Sequence, residues 1–559
     1  MAVKVELTSQ LYIKIGGNPL QRDIVQKISE VVVDQHTHLP DMFTICLQDP
    51  GLELLDNGPF DLTKEIEIEA ETEDEKKYPL IKGEITALEP DFGDGMNARL
   101  VVRGYDKLHR LYRESKIKAY VNVKDSDIAS QIAQNIGLTA QVDATSTVYD
   151  HIFQHNLSDL AFLAQRAWRI GYECFVSDGK LFFRKPPAPS AGITLTWGQD
   201  LFSFHPRMSL AEQVDEVQVK GWDFDKQSPI VGKAQNGNLY PKIQESKDGA
   251  GWAHAFGSGK TVIVDQNVIS QAEANILASA RLDEISGAFI EAEGEAFRQP
   301  DIKAGKSIEL KGLGDRFSGQ YLVTSVTHIY TAQGLKEIFK VSGTRMGLLS
   351  QQMNHQPPLD RWVGVVPALV TNTNDPKDMG RVKVKYPWMS NDVESDWARV
   401  VGAGAGPKAG LYIMPEVGDE VLVAFVHGDF NRPIVLGGLW SGKNKLPQEA
   451  AKAASGEKPL VRTWHSRTGH LIAVYDNADN KIEIVTAGGQ SITLDDKNKK
   501  ITLKTSGVTV VSEDNKLSIE SSTEITIKAG SNLKLEASGN LDIKAGGQVT
   551  VKGATINLN

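Results

Sequence analysis

From Asn477 to Asn559 the chain has no aromatic residue, proline, cysteine, methionine, histidine or arginine. Without aromatics there is no stacking platform for a sugar, which argues against a carbohydrate-cleaving β-helix in this stretch. Lysine and acidic residues there nearly balance, so it is not a tail built to hold a polyanion. The whole chain has two cysteines, Cys46 and Cys174, too few for a disulfide framework and suited to assembly in a reducing compartment. No run of 18 apolar residues occurs, and Met1-Ala-Val-Lys-Val-Glu-Leu has no apolar signal core. The expectation is a chain made in the cytoplasm that does not leave by a signal peptide. A formal charge of −10 disfavours nucleic acid as a partner.

What that C-terminal stretch does contain is a repeat of eight residues. Leu517 and Ile519, Ile525 and Ile527, Leu533 and Leu535, Leu541 and Ile543, Val549 and Val551 each bracket one polar residue, and Ile556 and Leu558 form a shortened last copy. Looser copies lie at 482–484, 492–494, 501–503 and 508–510. Each copy is a short strand with one apolar face, Gly530, Gly539, Gly546 and Gly553 fall between copies, and the period indicates a β-helix. One strand and one corner cannot cover their own apolar face, so the ladder continues onto neighbours. Either the chain coils on itself or several chains wind together. A calcium-binding repeat is disfavoured, because neither Gly488-Gly489 nor Gly546-Gly547 is followed by Gly-x-Asp.

At 559 residues, 24% charged and 41% hydrophobic, the chain has room for three or four domains. Residues 1–115 read as β, and Glu65-Ile-Glu-Ile-Glu-Ala-Glu71 reads as a solvated strand with its acids on one face. Residues 116–190 turn helical: one stripe is Ile128, Ile132 and Ile136, stopped by Gly137, and another runs from Ser158 to Gly171. A hairpin about Asp178-Gly179 follows. Residues 191–348 are a second β block with one helix, Gln271 to Ser286, opened by the capping box Ser270-Gln-Ala-Glu273. A linker at 349–361 leads to short strands over 362–441 that fit an OB-fold barrel. A second linker, 442–463, leads to neck strands over 464–487 and the needle over 488–559.

Other patterns offer chemistry that the residues do not complete. Gly257-Ser-Gly-Lys-Thr261 lacks the first glycine of a phosphate loop, because His254 stands there. Gly402-Ala-Gly-Ala-Gly406 is followed by Pro407 and reads as a loop. His151 and His155 have the spacing of a zinc helix, yet Ile152 stands where the general base would be. Gln35-His36-Thr37-His38 is a weaker pair still. Ser158 beside Asp159 reads as a helix cap and not as a nucleophile. Lys383-Val-Lys-Tyr-Pro-Trp388 could touch single-stranded nucleic acid, but packing suits the acidic total better. No catalytic residue, cofactor or metal site is expected.

The order of two β blocks with a helical insert, an OB barrel and an octad repeat resembles the VgrG family, the spike proteins of contractile injection systems. The stretches that carry this are Gln154-His-Asn-Leu-Ser-Asp-Leu-Ala-Phe-Leu163, Gly171-Tyr172, Asp178-Gly-Lys-Leu181 and Val217-Gln-Val-Lys-Gly-Trp222 in the hub. In the barrel they are Gly380-Arg-Val-Lys-Val, Pro415-Glu-Val-Gly-Asp-Glu-Val-Leu-Val423 and Gly428-Asp-Phe-Asn-Arg-Pro-Ile-Val435, with Thr468-Gly-His-Leu471 in the neck. The resemblance implies a mainly β chain: two hub β-barrels with an α/β insert, an OB-fold, and a C-terminal intertwined trimeric β-helix. It implies a homotrimer whose needle core is Leu517, Ile519, Ile525, Ile527, Leu533, Leu535, Leu541, Ile543, Val549 and Val551. A PAAR-type tip protein would dock at Ile556, Leu558 and Asn559. The other implied partners are tail tube and baseplate proteins, effector cargo, and the target membrane on contraction. No lysozyme segment interrupts barrel and needle, and no effector segment is expected after the needle. These features favour a non-enzymatic spike of an extracellular phage-tail-like particle, with a type VI secretion spike as the alternative and a glycan-degrading tail spike as the rival from another class.

Overall fold

In the strand Glu65–Glu71, Ile66, Ile68 and Ala70 alternate with glutamates and are fully buried. The glutamates face outward as expected, but not bare: Lys14 lies 3.5 Å from Glu67 and 3.6 Å from Glu69, Lys82 2.7 Å from Glu67 and Lys107 2.8 Å from Glu65. These partners come from adjacent segments, so the sheet neutralises its own acidic face. The computed structural model describes residues 10–72, 76–237, 241–245, 247–345, 361–447, 458 and 460–558. Most of the linker 349–361 and part of 442–463 lie outside the described residues. The chain divides into two units, Met1–Leu439 and Trp440–Asn559.

In the first unit the two β blocks share one 11-stranded sheet. Its seam is the antiparallel pairing of Ile28–His36 with Ser325–Thr331, in register at Val33 and His328. Each block keeps its own core. Val31, Phe43, Ile45 and Val102 belong to the first, and Ile290, Tyr321, Val326 and Phe339 to the second. A single curled sheet joins the two hub blocks and spans both cores, because the seam strands bury side chains and hydrogen-bond on both edges. Helix Gln271–Gly287 starts as its capping residues dictate, with the Ser270 hydroxyl accepting from the Glu273 N–H at 3.1 Å. Its Leu277 and Leu282 pack on Val217 and Val219.

The insert follows the sequence closely. Helix Asp125–Asn135 stops before Gly137 (φ 73°), and helix Asp159–Ile170 runs from the Ser158 cap to Gly171 (φ 71°). Asp178 and Gly179 both take positive φ, 50° and 74°, and turn the strand Glu173–Ser177 into Lys180–Arg184.

The OB-like barrel has five strands, Val365–Asn372, Lys383–Lys385, Arg399–Val400, Glu420–Phe425 and Pro433–Gly438. Its core is not self-contained. Phe153, from the insert strand Tyr149–Leu157, is buried among Val370, Tyr386, Phe425 and Phe430. The Phe153 N–H donates to the Asn431 side-chain oxygen at 2.6 Å, and the His155 ring stacks on Phe430 at 4.9 Å. The Asn267 side chain donates to the Val426 carbonyl at 2.6 Å, tying the second block to the same loop. Two stretches that carried the resemblance, 154–163 and 428–435, therefore lie at one joint.

Phe→Ala in a filled core costs about 3–5 kcal/mol. Phe153→Ala should accordingly lower the unfolding midpoint and speed proteolysis within 362–440, measured by mass spectrometry of the fragments. A second expectation concerns His36 and His38. Burial pushes their pKa values down to about 4 and about 3, and His36 Nδ1 also accepts from the His38 N–H at 3.0 Å. Both imidazoles are thus neutral in the fold, whereas the unfolded chain binds protons near pH 6.5. Stability is lost as pH falls from about 6.5 toward 4. Relative to His38→Gln, the parent should lose about 1.4 kcal/mol per pH unit in that window, measured by denaturant melts of both proteins at several pH values.

Candidate assembly surface

The second unit starts from alternation. Its seven strands, Val461–His465, Leu471–Tyr475, Lys481–Val485, Ser491–Asp495, Lys500–Thr505, Val508–Glu513 and Lys516–Ser521, form one antiparallel meander in chain order. The turns explain the reversals. Asp514-Asn515 has φ of 42° and 64°, the two-residue hairpin geometry, and Gly507, Lys499, Gly489, Asn480 and Gly469 take positive φ in the other connections.

The register lines up one apolar row across all seven strands: Trp464, Ile472, Ile484, Ile492, Leu503, Val510 and Ile519 are successive partners. Two residues away on the same face runs a second row, Val474, Ile482, Leu494, Ile501, Ser512 and Leu517. At about 4.8 Å per strand the rows extend about 29 Å. This face is open: Ile484 and Leu494 are each 44% exposed, Leu517 67%. The other face mixes polar side chains with Leu471, Ala473, Tyr475, Val485 and Val511. Lys481 pairs with Glu483 at 2.8 Å and Lys500 with Glu513 at 3.4 Å, and Asn498 holds the Asp495 carboxyl below its usual range.

Beyond Ser521 the pattern changes. Bends recur at 522–523, 530–531, 538–539, 546–547 and 554, close to the period of eight read from the sequence, with neither strand nor helix between them. Among the described residues, 523–558 pair with no other part of the chain. Ile525, Ile527, Leu533, Leu535, Leu541, Ile543, Val549 and Val551 are all more than half exposed, and Leu558 is 90% exposed. A backbone with open edges and an apolar stripe is a template for other strands.

Two expectations need correction. The needle was expected to run as one β-helix from 488, but residues 491–521 belong to the in-chain meander with the neck strands. The reason is local: tight hairpins such as Ser506-Gly507 and Asp514-Asn515 reverse the chain, while Gly530, Gly539, Gly546 and Gly553 bend it without a positive φ. Leu517 and Ile519, expected in the needle core, sit on the last meander strand. Asn559, expected at the tip, lies outside the described residues. The sequence reading took the aliphatics of 482–510 as looser copies of the repeat and did not join Trp464, Ile472 and Val474 to them. Their alternation was visible, but spacings of 7 to 12 residues hid the alignment that the register creates.

The weighed chemical patterns resolve structurally. Lys260 and Thr261 sit on a strand, Lys260–Ile263, paired parallel to Glu216–Val219, and the Gly259 N–H donates to Asp215 at 3.0 Å. His151 and His155 lie on a strand rather than a helix, and His151 Nε2 is 3.0 Å from the Glu394 carbonyl. Among the described residues no group of three or more His, Cys, Asp or Glu is placed to hold a metal ion. A small cleft of about 100 Å³ beside the insert–barrel joint is lined by arginines that already have partners: Arg166 with Asp125 at 2.6 Å, Arg169 with Glu273 at 2.9 Å and Arg361 with Asp265 at 2.5 Å.

The family model described as the Alg8 N-terminal domain matches residues 8–332, more than half of the chain. The chain belongs to that family. The description "Type VI secretion system/phage-baseplate injector OB domain" matches residues 366–440, the five-stranded barrel. Among curated proteins, the type VI secretion system spike protein VgrG3 of Vibrio cholerae serotype O1 is 40% identical over 74 residues, 12% of this chain and 7% of the relative. VgrG5 of Pseudomonas aeruginosa is 37% identical over 106 residues, 17% and 13% of the two chains. The chain thus matches only a small fraction of these relatives' length. The solved structure of the Francisella PdpA-VgrG complex, lidded, matches 90% of this chain and 81% of its own at TM-score 0.51 and 10% identity. The lidless PdpA-VgrG complex matches 93% and 100% at TM-score 0.50 and 9% identity. At such identity the likeness is one of fold. Together the matches make this a VgrG-like chain: a mainly β protein with the hub and OB barrel of a phage-baseplate type.

Proposed function

We propose that this chain is one of three copies forming the central spike and hub of a contractile injection particle. It joins a sixfold tail tube to a threefold membrane-piercing needle and has no catalytic role of its own. The observation that carries this reading is the exposed apolar face of the second unit, continued by the octads of 523–558. A dozen aliphatic side chains left about half exposed amount to roughly 1,000 Å² per copy, above the about 800 Å² per partner of a stable protein interface. A face that large on a free chain is a liability to aggregation; between identical copies it becomes an axial core. The ion pairs on the opposite face suit an outer surface in water.

The exposed Ile556 and Leu558 offer apolar surface on which a PAAR-type tip protein would dock. Tube and baseplate proteins would meet the hub. We read the setting as an extracellular phage-tail-like particle, assembled in the cytoplasm and then released. The curated relatives are type VI spike proteins, and this observation favours a type VI spike as the second reading. Native mass measurement of the full chain should give three times the 61.1 kDa of one copy; a single-copy mass at micromolar concentration would overturn the reading. Recovery of the chain in particles from clarified culture medium, against recovery only inside cells, separates the two settings.

A further inference from the structure

The second unit contains two kinds of unfinished surface, and they are unfinished in different ways. In 461–521 each strand is hydrogen-bonded to the next within the chain, so the inner backbone is satisfied and only one side-chain face lacks cover. In 523–558 neither the backbone ladder nor the apolar stripe is completed within the chain. The first region presents a preformed surface; the second has no structure to present until other strands lie beside it.

Resting on the trimeric reading above, we propose that three copies meet first through the apolar face of the 461–521 sheet, and that the octads of 523–558 wind together only afterwards. The occupant of that face is a second and a third copy of the same chain. Joining preformed faces orders few additional backbone dihedrals, whereas pairing three free tails must fix every residue and find one axial register among several offset by eight residues. Once the faces are docked, the tails emerge side by side from the last strand, Lys516–Ser521. Their mutual concentration then rises to the millimolar range of tethered partners. The rows Trp464 to Ile519 and Val474 to Leu517 interdigitate at one level, so the docked sheets also set the register of the tails. In this scheme the meander is the trimerisation unit and the octads are the rod it nucleates.

Two full-length variants test this order. Ile527→Asp with Leu535→Asp charges only the octads; Ile492→Asp with Leu494→Asp charges only the sheet face. The octad variant should keep threefold native mass and lose hydrogen-exchange protection in 523–558 alone. The sheet-face variant should fall to single-copy mass and lose protection in 523–558 as well, although that segment is unaltered, while the ladder amides of 471–511 stay protected. A milder pair, Ile492→Thr with Leu494→Thr, keeps strand-forming side chains in case the aspartates disrupt the sheet. It should raise the concentration for half-dissociation at least tenfold. An octad variant of single-copy mass, or sheet-face variants that remain as trimeric as the parent, would overturn the proposed order. A parent that is itself monomeric would instead remove the trimeric reading on which it rests.

Discussion

A sheet whose aliphatic rows lie open on one face is left uncovered by the described residues of its own chain. That constraint organises the second unit. Strand alternation places every second side chain on the same face, and the antiparallel register then stacks these side chains into rows. Among the described residues nothing folds back over the rows, and residues 523–558 carry an apolar stripe of their own. Both regions leave aliphatic side chains open, although only the first has its backbone already paired.

The hub meets a different requirement. Its acids along Glu65–Glu71 are answered by lysines on adjacent segments, and its two cores are bridged by one sheet whose seam joins residues nearly 300 positions apart in sequence. The OB barrel borrows Phe153 from the insert to complete its core, with Asn431 accepting from the same residue's backbone. A barrel that shares its core with the hub is held to it by packing as well as by the chain. The arginines near this joint are committed to carboxylates, so its polarity is structural.

Much of the local structure was legible in the residues. Ser158 and Ser270 mark helix starts, Gly137 and Gly171 mark stops, Asp178-Gly179 marks a hairpin, and all act through contacts within a few positions. The octad period was equally local, and the backbone bends at nearly that period. What misled was also local: the copies at 482–510 look like weaker octads, and only their hairpin turns show that they reverse direction. Histidines spaced like zinc ligands on a helix lie on a strand, where the neighbouring Ile152 and Phe153 fill two different cores, the insert's and the barrel's.

The sequence by itself determined the strands, the caps, the period of the repeat and the sign of each face, since these depend on side-chain alternation and on turn residues acting over short distances. Tertiary structure alone decided that two β blocks share a sheet, that Phe153 completes a distant barrel, and that irregularly spaced aliphatics fall into two straight rows. Those outcomes depend on which strands pair and in which register, and pairing is settled by the burial of whole faces rather than by any one segment.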